Sequence, residues 1–354
     1  MRITSYLSRQ VLASVAMVMM VLMALTALFT FIGQQDDVGI GTYRSGDAFW
    51  FALFNLPQQM FELLPIGALI GSLIGMGALA RGSEITVLRA AGMSVWSLAR
   101  SILPAALVLL GMAVLLGEYI APPLVQVAKQ QKAFAKFSNI SFAGRGGAWL
   151  REPSRIINVT QQSTADSFSG VAIFELDQQG RLKSMATAAS AAAGSPGYWD
   201  LGSYAVTTFA GETVNAEREQ RYRLATGSSG ELLGLTVREP WQLPNRSLWK
   251  LIHHLRANGL DAGQTIFAFW SRIARSVAIV FAVLLAVPLV VGVLRSAGSG
   301  SRTVVGMLLG IAFFMLQNLL ESGTIVFDLN PVLLAWLPAA LLAGASLIAI
   351  LRAR

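Results

Sequence analysis

The chain has 354 residues, 54% of them hydrophobic and only 13% charged, with a mean hydropathy of +0.58. A formal charge of +8 would suit a nucleic-acid binder if it gathered on one soluble face, but the arginines here sit at the ends of apolar runs. Cysteine is absent, which excludes disulfides, thiolate metal sites and thiol nucleophiles.

Uncharged stretches occupy residues 11–35, 63–80 and 101–117, and again 276–294, 303–320 and 329–351. Each approaches the ~20 apolar residues with which a helix crosses a ~30 Å hydrocarbon core. The first is longer than a signal-peptide core and has no evident small-residue cleavage site, so it reads as a retained helix. The predicted fold class is therefore an α-helical integral membrane protein with six transmembrane helices, three on each side of an inserted periplasmic all-β jelly-roll-like domain. The predicted boundaries are 1–122 for the first three helices, 123–266 for the insert with a helical return segment, and 267–354 for the last three.

Arginine placement predicts the orientation. Arg2, Arg9, Arg81, Arg89, Arg100, Arg295, Arg302, Arg352 and Arg354 fall on one side, whereas the short loops opposite carry Arg44 as their only basic residue. By the positive-inside rule both termini are cytoplasmic and the insert is periplasmic in a bacterial inner membrane.

Gly67, Gly71 and Gly75 repeat at four-residue spacing on the second helix, as Gly306 and Gly310 do on the fifth. Such faces let backbones approach closely, within this chain or against a partner. The loop 80–94 predicts a short helix near 82–92 with Ser83 as its cap, Glu84 in its first turn, Leu88 on its apolar side, Arg89 in its last turn and Gly92 as its stop. It is either an interfacial helix or a coupling helix that docks on a cytoplasmic motor.

After the third apolar run, Lys129, Lys132 and Lys136 follow at helical spacing, with Arg145 beyond. Spacings of three and four place the lysines on one side, either as a solvated face or as a cationic stripe for an anionic amphiphile. Arg272 and Arg275 enter the fourth apolar helix beside Trp270, in positions that suit snorkelling or head-group contact. Glu118 reads as interfacial. Gln58, Gln59, Glu62, Gln317, Asn318 and Glu321 suggest a wet cavity or an inter-subunit seam.

The insert changes character to short β-branched phrases, Arg155-Ile-Ile-Asn-Val-Thr160 and Val171-Ala-Ile-Phe-Glu-Leu176, separated by turn signals at 177–180, 194–197 and 227–230. Its interior is predicted to draw on Ile156, Val159, Val171, Ile173 and Phe174, and one sheet edge is predicted to be open. Leu248, Leu251, Ile252 and Leu255 share a helical face that ends at Asn258-Gly259. No phosphate-loop motif occurs, and the adjacent His253 and His254 face different directions, a poor metal pair. Enzyme chemistry, metal binding and a cofactor in this chain are not expected.

Taken in order, Leu64-Pro-Ile-Gly-Ala-Leu-Ile-Gly71, Arg81-Gly-Ser-Glu-Ile-Thr-Val-Leu-Arg-Ala-Ala-Gly92, Gly117-Glu-Tyr-Ile-Ala-Pro122, Gly259-Leu-Asp-Ala-Gly263, Trp270-Ser-Arg-Ile273 and Leu294-Arg-Ser296 resemble the LptF/LptG family of lipopolysaccharide-export permeases over essentially the whole chain. Val38-Gly-Ile-Gly-Thr-Tyr43 and the Trp270 segment favour the LptG branch. The resemblance implies a heterodimer with an LptF-like permease and two LptB-like ATPase subunits, which bind ATP and Mg. The pair takes lipopolysaccharide from the outer leaflet of the inner membrane and passes it to an LptC-like periplasmic protein. It also implies that Glu84 is the acidic residue of the coupling helix and that Lys129 and Lys132 lie near lipid A. Thr30, Asp36 and Asp37 stand where lysines can occur in the family. The alternatives are another ABC-type lipid or lipoprotein permease subunit, the LptF paralogue, or a membrane scaffold.

Overall fold

The structure, a computed structural model, describes the chain except residues 1, 137–147, 153, 165–166, 178, 180, 196–197, 211–212, 226–239, 293–298, 327–328 and 353–354. The turn signals at 227–230, Arg145, Arg295 and Asp328 lie outside the described residues. The chain divides into two compact units. One comprises residues 1–38, 44–129 and 263–354; the other comprises 39–43 and 130–262.

The first unit is helical. Its elements are α1 (Arg2–Gly33), α2 (Ser45–Arg81), the short α3 (Glu84–Ala90), α4 (Val95–Leu115) and a π turn (Leu116–Ile120) that leads into α5 (Ala121–Lys136). Three further helices follow the insert: α7 (Gly263–Val291), α8 (Ser299–Val326) and α9 (Pro331–Arg352). Five helical stretches are long and apolar enough to cross a membrane, and α8 carries a shorter apolar segment, Val304–Leu320, among the described residues.

Helix α2 is the axis of this unit, since 72% of its most apolar window is buried against 11% for α1. Its start is fixed locally. The Asp47 carboxylate accepts the Arg44 N–H at 2.8 Å, the reach-back half of a capping box, and its charge suits the helix N-terminus. Its glycines decide its neighbours. A Cβ on Gly71 would lie 2.5 Å from the Val15 Cα of α1, and one on Gly75 would lie 2.8 Å from Ser14 Oγ. Gly67 faces Met19 in the same way. Opposite them, Gly306 and Gly310 of α8 press on Leu73, Ile70 and Ile66 of α2. Both small-residue faces thus pack within the chain, and α7 joins the same core through Ile279, Val283, Ala286 and Val290.

The second unit is built on one antiparallel sheet of six described strands: β1 (Ala148–Glu152), β2 (Arg155–Thr164), β3 (Ser167–Leu176), β4 (Leu182–Ser195), β5 (Tyr198–Ala210) and β6 (Thr213–Ala225). They pair strictly in chain order, because the two to five residues between successive strands are too few for a crossover. A jelly roll needs Greek-key crossovers between two sheets. Among the described residues the all-β domain is instead a meander.

The sheet is not flat. Pairing passes from Val159↔Val171 to Gln161↔Ser169, from Val171↔Ala188 to Ser169↔Ser190, and from Ala188↔Tyr204 to Ser190↔Gly202. The residues stepped over include Gly170 (φ +63) and Ser203 (φ 54), both left-handed. Across that row the buried parity changes. Val171 and Ile173 give way to Phe168 on β3, and Ala186 and Ala188 to Ala191 on β4, while on β5 Trp199 and Leu201 give way to the partly buried Tyr204 and Val206. Left-handed residues in neighbouring strands bend a sheet and shift its alternation by one. On the buried face Phe168 and Trp199 stack at 5.1 Å in one cluster with the small side chains of β4.

The alternation also corrects the predicted interior. Val159, Val171 and Ile173 are buried, but Ile157 takes the inward place expected of Ile156, and Phe174 stacks on the exposed Trp149 of the other face. A single position reverses a strand residue's side. The return helix α6 (Asn245–Ala257) buries Leu248, Leu251 and Ile252. It stops in a Schellman motif, with Gly259 at φ +65 and the Leu260 N–H donating to Leu255 O at 2.9 Å.

Candidate functional sites of the permease

The loop 82–94 forms the short helix expected of it, by a different start. Ser83 occupies the N-cap position but at φ 59, ψ 5, and its side chain makes no cap bond. A cap hydroxyl reaches the first-turn N–H groups from an extended backbone, which this residue lacks. The Glu84 carboxylate is instead met from α1, where Tyr6 Oη donates to Glu84 Oε1 at 3.3 Å. At the other end Gly92, at φ +92, donates to Arg89 O at 3.0 Å, and the Met93 N–H donates to Leu88 O at 3.1 Å. This is the Schellman pairing, with Leu88 and Met93 packed on the core. Ile85 is buried, whereas Glu84 and Val87 are exposed, so the helix is anchored on one side and presents an acidic, apolar surface on the other. Ser94 then caps α4 by accepting the Ser97 N–H at 3.1 Å. Tyr6 could not be found by sequence reasoning, since it lies 78 residues from its partner.

The lysines lie on α5. Lys129 is exposed and Lys132 half-buried; the side chain of Lys136 lies outside the described residues. The end of α5 is tied down, because Thr42 donates both its N–H (2.7 Å) and its Oγ1 (3.0 Å) to Ala135 O. Thr30 of α1 is tied to α2, its Oγ1 accepting from Gln59 Nε2 at 2.7 Å.

Arg272 is placed otherwise than expected. Only 6% of its side chain is exposed, and its Nε stands 4.0 Å from Glu118 Oε1, carried by the π turn. Its guanidinium lies 5.4 Å from the Phe61 ring centroid, and that of Arg275 lies 5.7 Å from the same ring. Gly117 abuts Phe61 so closely that a Cβ there would lie 2.9 Å from the ring. With its oxygen turned toward the guanidinium, the Gln317 amide accepts from Arg275 Nε (2.9 Å), Arg275 Nη2 (2.8 Å) and Ser271 Oγ (3.0 Å). Gln58 Nε2 donates to Glu62 Oε1 at 2.7 Å on α2. Polar residues predicted separately on four helices thus include a cluster around the buried Arg272 and Gln317, in which Glu62, Glu118 and Arg275 are part-buried. Arg272 belongs to it, with its side chain buried against Phe61 and Glu118.

In the second unit His254 is half-buried, and desolvation lowers its pKa from 6.5 against a smaller upward pull from Glu152. His253 is exposed beside it. Burial, with Tyr222 and two glutamates near, pushes Tyr204 up to about 12; its ring stacks on Tyr222 at 4.3 Å. The edge strand β6 is exposed at every described position except Leu224 and carries Glu217, Arg218, Glu219, Arg221 and Arg223. Alternating charge of this kind discourages unplanned strand pairing. No group of three or more His, Asp or Glu that could hold a metal occurs among the described residues.

Membrane-length helices, a folded β insert and a short anchored loop helix define the class: a multi-span membrane protein with an inserted β domain. The chain matches the model of the lipopolysaccharide export system permease LptF/LptG over residues 5–352, and it belongs to that family. It is 25% identical over 338 residues to the lipopolysaccharide export system permease protein LptG of Escherichia coli K12, covering 95% of this chain and 94% of that one. It is 26% identical over 337 residues to the LptG of Haemophilus influenzae, with the same coverage. The chain is a permease of the lipopolysaccharide export system, homologous to LptG.

Proposed function

We propose that the chain is one half of a heterodimeric permease, paired with an LptF-like subunit and driven by two LptB-like ATPase subunits that bind the ATP and Mg. It extracts lipopolysaccharide from the outer leaflet of the inner membrane and passes it to an LptC-like periplasmic protein. In this reading the chain crosses the membrane six times, as three helices in 1–122 and three in 267–354. Both termini are cytoplasmic, the insert 123–266 is periplasmic, and its meander forms part of the periplasmic bridge. The chain itself holds no cofactor. The family match across the whole chain carries the reading. An ATPase is required because extraction removes several acyl chains from lipid at ~0.8 kcal/mol per CH₂.

The helix Glu84–Ala90 is the ATPase-coupling element, with Glu84 and Arg89 facing the motor and Leu88 and Gly92 seating it. What supports this is its anchored inner side and its exposed Glu84 and Val87. Lys129, Lys132 and Lys136 form the head-group face, for which anionic lipid A phosphates are the matching chemistry. The test is Glu84→Arg in the assembled system. The variant is expected to reach the membrane and bind lipopolysaccharide while losing most of the copurifying ATPase. Wild-type copurification would remove the coupling role.

A further inference from the structure

The wide turn Leu116–Ile120 is the least regular part of an otherwise α-helical path from Val95 to Lys136. Its effect appears in the buried stripe. Ile102, Ala106, Leu109 and Ala113 are buried before it, and Ala121, Val125 and Ala128 after it. In unbroken α geometry the twelve steps from Ala113 to Val125 turn the helix about 1200°, leaving Val125 about 120° off the face on which Ala113 lies. A π turn accommodates one extra residue, about 100° of rotation, and brings the two halves of the stripe nearly into line.

The turn has built partners. Gly117 admits Phe61, which is itself 2% exposed, and a Cβ at 117 would collide with the ring. Glu118 meets Arg272 of α7, and Arg272 with Arg275 brackets the Phe61 ring. Gln317 of α8 holds Arg275 in place. Helices α2 and α7 therefore meet this one turn, and α8 stands behind them through Arg275. A buried ion pair is a weak source of stability but a good means of selecting one geometry.

We infer that Glu118 and Arg272 are positioning residues for the transport step: their contact, closed over Phe61, pins the π turn, and the pinned turn sets the rotational phase in which α5 presents Lys129. This rests on the cationic-face reading above. Without the pin, the turn relaxes to α geometry and every later residue of α5 advances about 100°, so each residue takes the angular place of the one after it.

The absence of cysteine allows a direct test. Single cysteines at positions 127–131 of the otherwise cysteine-free chain are probed with a maleimide in membranes that contain the full export system. In the parent chain, Ala128→Cys is expected to be protected, and Val127→Cys and Lys129→Cys labelled. In Glu118→Gln and in Arg272→Met, protection is expected to move from 128 to 127, with lipopolysaccharide release falling tenfold or more. Deleting Tyr119 from the Glu118→Gln chain removes the extra residue and is expected to return protection to 128 and to restore release. A merely structural lesion would not be mended by a second lesion. If Arg272→Met fails to accumulate, the isosteric Glu118→Gln decides alone. Protection that stays at 128 in the variants overturns the inference. So does a shift that leaves release unchanged while Lys129→Glu with Lys132→Glu abolishes it. Wild-type release from that double lysine variant overturns the cationic-face reading and the transport half of the inference with it, whereas an unmoved label pattern overturns the inference alone.

Discussion

Lys129 and Arg272 begin as equals, two cationic residues at the ends of apolar helices, and the structure separates them completely. Lys129 stands exposed on α5, whereas Arg272 is enclosed by Glu118 and Phe61. A strongly hydrated ammonium on a flexible stem suits a passing anionic head group. A planar guanidinium that stacks and forks suits a buried junction between helices. The difference teaches that positive charge near a membrane boundary is not one function but two. In the reading proposed above, one serves the ligand and the other serves the geometry of the protein.

The largest expected effect follows from breaking the enclosed side. Arg272→Ala removes a buried side chain and leaves the part-exposed Glu118 without its counterion, and is expected to cost about 3 kcal/mol, the low end for a broken buried pair. Thermal unfolding of the purified protein in a mild detergent measures this, and a midpoint within a degree of the parent would place Arg272 on the same footing as Lys129. A packing control of intermediate size is Gly71→Ala. Its new Cβ meets the Val15 backbone of α1 at 2.5 Å, and overpacking of this kind costs about 1–3 kcal/mol. Equal stability of this variant would mean that α1 and α2 are not in contact there.

On the exposed side the effects on stability are small and those on function large. Lys129→Glu with Lys132→Glu is expected to change stability by less than about 0.5 kcal/mol per site, while lipopolysaccharide binding falls at least tenfold. Binding is read by copurified lipid in the same detergent. A variant that binds normally would make the lysines a solvated face, and one that unfolds would erase the contrast with Arg272. The smallest effect concerns His254. Its folded-state pKa is lowered below 6.5, so the unfolded chain binds the proton more readily than the folded one. The stability this represents is present above pH 6.5 and is lost as pH falls through the folded value. His254→Gln is expected to flatten the decline below pH 6.5, followed by tryptophan fluorescence during denaturation. An unchanged slope would assign it to another group.

Several elements are legible in the order of residues alone. The helix α6 and its Gly259 stop, the Gly92 stop of α3 and the presence of strands in the insert all follow from local periodicity and turn chemistry. Ser83 shows where local reading fails. A serine before Glu84 satisfies every sequence rule for a cap, yet its left-handed backbone turns the hydroxyl away, and Tyr6 meets the glutamate instead. The inward place of Ile157 over Ile156 likewise depends on where the crease falls, which two adjacent isoleucines do not reveal.

By itself the sequence determined the membrane class, because hydrocarbon thickness acts on each helix separately and demands a run of apolar residues that can be counted. It also determined that glycine faces would pack closely, since a missing Cβ is a local fact. Only the tertiary structure decided which helices those faces meet, that the sheet is a creased meander, and that Arg272 is buried with Glu118 across a π turn. Those outcomes depend on what other segments bring to the same place. Burial and charge pairing are properties of neighbours in space, and residues 118 and 272 become neighbours only when the helices assemble.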